Sequence, residues 1–154
     1  MLKLKKLLIP VDLSSPVGIH YGVQIAMAFH SHIHFVHVRP KYARIFPFAV
    51  PGGVAAAGSD VLNDNEHSLM HQRMMQYLQQ FPLEGIQYTL TILYGVPTRE
   101  ILNLINDTEP DLVILGTQGM MKFEDIIIGS FKKKTNSSNN GCIHLGKVCF
   151  CAKH

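Results

Sequence analysis

The chain alternates between short, nearly continuous apolar runs and longer stretches in which apolar residues recur at helical spacing. Leu4–Val11 is mostly apolar without period-two alternation and stops at Asp12, the pattern of a strand buried on both faces in a parallel sheet. Ile33–Val38, Gln87–Leu93 and Asp111–Leu115 read as three further strands. Between the first two, Val17, Tyr21, Ile25, Ala28 and Phe29 recur at helical spacing after Ser14-Ser15-Pro16. That triplet predicts a helix start with Ser as N-cap and Pro in the first turn. A second helix is predicted over 61–80 from Leu62, Leu69, Met70, Met74, Tyr77 and Leu78, with Pro82 beyond its end. A third is predicted over 99–106, after the Gly95-Val96-Pro97-Thr98 turn. Strands alternating with helices predict a parallel, doubly wound α/β sheet in one domain spanning 1–154.

Two segments do not fit that rhythm. Residues 40–61 hold Pro47, Pro51, Gly52-Gly53 and Gly58-Ser59, and a loop of this length inside a compact domain predicts a flexible flap near a site. Directly after the fourth strand, Gly116-Thr117-Gln118-Gly119 is followed nine residues later by Gly129-Ser130. Glycines there let backbone N–H groups approach a phosphate, and a helix start beyond Ser130 would add its partial positive charge. The same run can also be a plain strand-to-helix connection. Likewise Asp12 can be a ligand group or only a polar residue ahead of a helix, and Ser130 can be a ligand group, an N-cap or both.

Composition narrows the class. Charged residues make up 16% and mean hydropathy is +0.13, low enough in charge to predict that some surface is buried in an oligomer. No apolar run reaches the ~18 residues of a membrane span, and the opening residues lack a signal-peptide core, so the expected location is the cytoplasm. The net charge of +3 conceals a division: after Ser130 there are five lysines, no acid and all three cysteines. The body of the domain is therefore slightly acidic, which argues against nucleic acid as partner.

The element order, with Pro10-Val11-Asp12, His37-Val38, Gly95-Val96-Pro97, Asp111–Thr117 and the G-x₂-G-x₉-G-S spacing of Gly116, Gly119, Gly129 and Ser130, resembles the universal stress protein family over about residues 3–130. The resemblance implies a five-stranded sheet of order 3-2-1-4-5, usually a homodimer joined through the last strand. It also implies ATP, with Mg or Mn as possible companion, or a related adenine nucleotide. The base would lie near Pro10, Asp12 and Val38, and the ribose and phosphates near Gly116, Thr117, Gly119, Gly129 and Ser130. Where family members often carry Arg after Gly119, this chain has Met120-Met121-Lys122, making Lys122 the substitute phosphate contact.

Beyond Ser130 the expected helix and Pro-Val-Leu-Val-Val-type strand are replaced by a Lys-, Asn- and Ser-rich stretch without an apolar stripe. Cys142–Leu145 and Val148–Ala152 are the two candidates for the fifth strand. The joint compositional jump motivates the hypothesis of an altered reading frame or recent divergence. Translating the gene in the other two frames tests it, and finding no helix-plus-strand reading in either rejects the frame change.

Nine histidines raise a metal question, but His32 and His34 share one strand face and His37 the other, so the three do not converge. His30 suits the end of the first helix. Cys142, His144, Cys149, Cys151 and His154 are zinc-type ligands without a C-x₂-C knuckle, and free thiols are the simpler reading. No metal site and no catalytic residue is expected: the sequence lacks a G-x-S-x-G elbow and a Walker lysine. The expected function is nucleotide-dependent regulation or partner binding in a stress response, with slow ATP hydrolysis at most. A nucleotide-independent dimeric interaction module is the alternative.

Overall fold

The computed structural model describes residues 4–13, 15–40, 64–116, 142–145 and 148–152, the last two segments as backbone. The flap from residue 41 onward and the run from Thr117 to Ser130 lie outside the described residues. The described elements are β1 (Lys6–Pro10), α1 (Val17–Phe29), β2 (His32–Arg39), α2 (Asp64–Leu78), β3 (Tyr88–Tyr94), α3 (Pro97–Thr108), β4 (Leu112–Gly116), β5 (Cys142–Leu145) and β6 (Val148–Ala152). The first four strands are parallel in the order 3-2-1-4, as the alternation of elements predicts.

The missing period-two alternation in β1 now has a cause. Leu7 and Ile9 are buried on one face with Ile19, Val23 and Ala26 of α1 and Met74 and Leu78 of α2. Leu8 is buried on the other face with Val36, Val38, Val113 and Leu115 of the sheet and Ile101 and Ile105 of α3. A strand covered on both faces has no polar side to display. Gly22 sets the closeness of α1 to the sheet: a Cβ there would collide with Ile9 Cδ1.

Side chains fix the element ends. Asp111 accepts hydrogen bonds from the Lys5 and Lys6 N–H groups at 2.8 and 2.9 Å, tying the start of β4 to the start of β1. α1 ends at His30, which adopts the left-handed conformation and donates its N–H to the Ala26 carbonyl. α3 begins at Pro97 in its first turn, where the missing N–H costs nothing.

Two expectations need correction. Serine is not the N-cap of α1: that position is Pro16, without a side-chain hydrogen bond, and the Ser15 N–H is held by Asp12 Oδ1 at 3.2 Å. The strand beside β4 is also not a parallel fifth strand. β6 pairs antiparallel with β4, from Leu112↔Ala152 to Gly116↔Val148, and β5 forms the outer edge, antiparallel to β6. Only two residues separate β5 from β6, so the two can pair only as a hairpin. The longer and more apolar Val148–Ala152 takes the interior slot, and the four-residue Cys142–Leu145 is left at the edge, where short strands are tolerated.

Candidate functional site

The site follows from a proline at the end of β1. Backbone groups along a strand alternate between its two neighbours. The Lys5 carbonyl accepts from His32 N on the β2 side at 2.8 Å, and the Lys6 carbonyl accepts from Asp111 N on the β4 side at 2.9 Å. Odd-numbered residues of β1 therefore bond β2, and even-numbered ones bond β4. Pro10 is even-numbered, so the donor it lacks is missing on the β4 side. Accordingly, β1 pairs with β2 from Lys6↔His32 to Pro10↔Val36, whereas its pairing with β4 comprises Leu7↔Leu112 and Leu8↔Val113. A crevice opens where the ladder stops.

That position is the one at which ligands enter open α/β sheets: the carboxyl ends of two neighbouring strands whose connections depart in opposite directions. Pro10, Asp12, Val38 and Gly116, from three strands and a loop, line this crevice together. The other sequence-predicted site residues, Thr117, Gly119, Lys122, Gly129 and Ser130, lie outside the described residues.

Each of the four contributes a different surface. Val38 is buried among the apolar residues beneath α3, and with Pro10 it offers the crevice a non-polar wall. Asp12 is the one titratable side chain among the described residues lining the crevice. Its carboxylate holds the Ser15 N–H, forming the turn that starts α1. Its charge also reaches Tyr77 of α2: that hydroxyl's pKa is raised above its usual 10, first by burial and then by Asp12.

Gly116 is informative because nothing described around it requires glycine. Its φ is not in the left-handed region, and among the described residues a Cβ added there meets nothing within 4 Å. Gly22 is glycine for packing; among the described residues, nothing packs against the Gly116 backbone where a Cβ would be. Bare backbone in a crevice permits close approach by a ligand.

Sequence reasoning missed three features of the site. Leu13, directly after Asp12, has φ 66° and is 37% exposed, a conformation that costs a non-glycine residue ~1–2 kcal/mol. The Asp-x-x-Ser spacing signals the turn that imposes it, but nothing in the sequence signals the sign of φ. The Tyr77–Asp12 proximity depends on how α2 lies across the sheet. The third, His37, is buttressed against this same loop: its Nδ1 lies 2.7 Å from the Val11 carbonyl.

Elsewhere, His32 and His34 do share a face, paired with Thr89 and Thr91 of β3 at 3.2 and 2.8 Å. The His34 pKa is lowered from the usual 6.5 by burial and then by His32. Among the described residues there is no group of three metal-ligating side chains and no helix long and apolar enough to cross a membrane.

Comparison with known proteins agrees with this architecture. The structure of the universal stress protein UspA from Lactobacillus plantarum superposes with a TM-score of 0.57 at 24% identity, covering 77% of this chain and 80% of that one. A universal stress protein from Archaeoglobus fulgidus superposes with a TM-score of 0.54 at 13% identity, covering 81% and 87%. At these identities the likeness concerns the fold. In sequence, the chain is 27% identical over 134 residues to universal stress protein MJ0531 of Methanocaldococcus jannaschii, covering 84% of this chain and 74% of the relative. The model of the universal stress protein family matches residues 3–135, ending close to where the lysine-, asparagine- and cysteine-rich segment begins, and by that match the chain belongs to the universal stress protein family.

Proposed function

We propose that this chain binds ATP or a related adenine nucleotide in the crevice between β1 and β4 and acts as a stress-response switch. The observation that carries this reading is the meeting of Pro10, Asp12, Val38 and Gly116 around one crevice, with no described residue where a Gly116 Cβ would be. The chemistry suits the ligand. Pro10 and Val38 offer apolar surface to a planar base, and a carboxylate such as Asp12 accepts hydrogen bonds from an amino or hydroxyl group. Because Asp12 repels phosphate, the phosphates belong at the Gly116 end, toward Thr117, Gly119, Lys122, Gly129 and Ser130, where Mg or Mn would accompany them.

With one titratable side chain among the described residues of the crevice, binding without efficient turnover is the consistent chemistry. In this reading the protein is a cytoplasmic homodimer that passes its nucleotide state to a partner. A second reading, a nucleotide-independent interaction module, is favoured by Met120-Met121 standing where a phosphate-pairing arginine would be.

The two readings separate on purified protein. Denaturing the protein and chromatographing the supernatant should release an adenine nucleotide, readily seen because the chain has no tryptophan. Absence of nucleotide, together with no gain in stability on adding ATP, would favour the interaction module.

A further inference from the structure

The loop that carries Asp12 begins where the β1–β2 ladder runs out, and a side chain continues that ladder. The last paired residues are Pro10↔Val36. One residue further, Val11 donates its N–H to the Val36 carbonyl at 2.8 Å. In a parallel ladder the next group to be satisfied is the Val11 carbonyl, on the same side of the strand. His37 Nδ1 lies 2.7 Å from it. A carbonyl oxygen only accepts, so Nδ1 carries the proton and the imidazole donates.

Both polar backbone groups of Val11 are therefore held by β2, one by backbone and one by an imidazole. Val11 lies between Pro10 and Asp12, and all three line the crevice. The next residue after Asp12, Leu13, is in the left-handed region, which an L-side chain adopts only where its surroundings over-determine it. A loop held in that shape needs a fixed starting point. With Pro10 giving no donor toward β4, the restraint at the start of the loop comes from the β2 side.

We infer that His37 is a positioning residue for the nucleotide site: through its Nδ1–H bond to the Val11 carbonyl it fixes the Val11–Leu13 backbone and so aims the Asp12 carboxylate into the crevice. The inference rests on the crevice being the nucleotide site, and it has a part that does not. The tautomer of His37, and the dependence of the Asp12 loop on it, are properties of the protein without ligand.

The test combines three variants with one spectroscopic measurement on the full chain. Asparagine places its side-chain nitrogen as many bonds from Cα as histidine Nδ1, so His37→Asn can restore the donor while His37→Ala cannot. Loss of one well-placed hydrogen bond predicts that His37→Ala weakens ATP binding about tenfold, with His37→Asn within about threefold of wild type. Asp12→Ala serves as the control for the site itself. If Asp12→Ala weakens ATP and His37→Ala does not, the positioning role is wrong while the site stands. If Asp12→Ala leaves ATP binding unchanged, the site assignment fails.

Nitrogen-15 spectra of the imidazoles decide the ligand-independent part. The expected result is a proton on His37 Nδ1, with backbone amide shifts at Val11, Asp12 and Leu13 that move in His37→Ala and return in His37→Asn. A proton on Nε2 alone, or amide shifts that ignore His37→Ala in a protein still folded by circular dichroism, overturns the inference whether or not nucleotide binds.

Discussion

The two sides of β1 are built differently, and the difference makes the site. Toward β2, the strand is paired through Pro10 and the pairing is prolonged by Val11 and His37. Toward β4, the described pairing stops at Leu8. Two glycines show a second contrast. Gly22 of α1 packs against β1 and β4, where a Cβ would collide with Ile9 and lie 3.5 Å from Ile114 Cδ1. Gly116 lies at the open end, where a Cβ would touch nothing described. One glycine is needed for packing; the other, among the described residues, is not.

That contrast can be broken at four places. The largest effect should come from Asp12→Ala. Losing a hydrogen bond to a charged group costs ~1.5–3 kcal/mol, so ATP affinity should fall roughly 10- to 150-fold in a calorimetric titration. Gly22→Ala should act on packing alone. Overpacking costs ~1–3 kcal/mol against ~1 kcal/mol of helix propensity gained. Ile9 is fully buried and its Cδ1 must shift to admit the methyl group, so urea unfolding should show a net loss of up to about 2 kcal/mol, with ATP affinity unchanged in the folded fraction. Gly116→Ala should do the reverse, weakening ATP while stability stays within ~0.5 kcal/mol of wild type. If both glycine variants lose stability and neither loses affinity, the division between packing and ligand approach is wrong.

The smallest effect concerns acid and the β2–β3 side. His34 has its folded pKa below the usual 6.5, first through burial and then through His32. The unfolded chain therefore binds more protons than the folded one in this range, so stability rises with pH. It should fall as pH drops below about 6.5 toward the folded pKa. The urea midpoint of wild type should drop between pH 7.5 and 5.5 more than that of His34→Gln. Equal drops would mean that His34 contributes nothing.

Much of this architecture is legible in the sequence because it rests on local chemistry. The apolar runs fix the strands, Pro82 and Gly95-Val96-Pro97 mark helix boundaries, and Pro10-Val11-Asp12 marks the end of β1. What eludes sequence reading depends on register or on the residue at which a helix starts. Ser15 looks like a cap, yet the N-cap position of α1 falls one residue later, on Pro16. His37 looks like a strand histidine until the register sets it opposite Val11. The outer edge of the sheet was ambiguous for a different reason: Cys142–Leu145 and Val148–Ala152 are both short apolar runs. Both form strands, and the more apolar one takes the interior place.

The central claim, that the β1–β4 crevice is a nucleotide site, is tested most directly by thermal unfolding of the wild-type chain and Asp12→Ala with ATP, AMP or no nucleotide. The account predicts that ATP raises the wild-type Tm more than AMP does, since the phosphates have their own contacts beyond Gly116, and that Asp12→Ala loses most of the increase. A wild-type Tm that no adenine nucleotide raises, at concentrations well above the micromolar range, would contradict it.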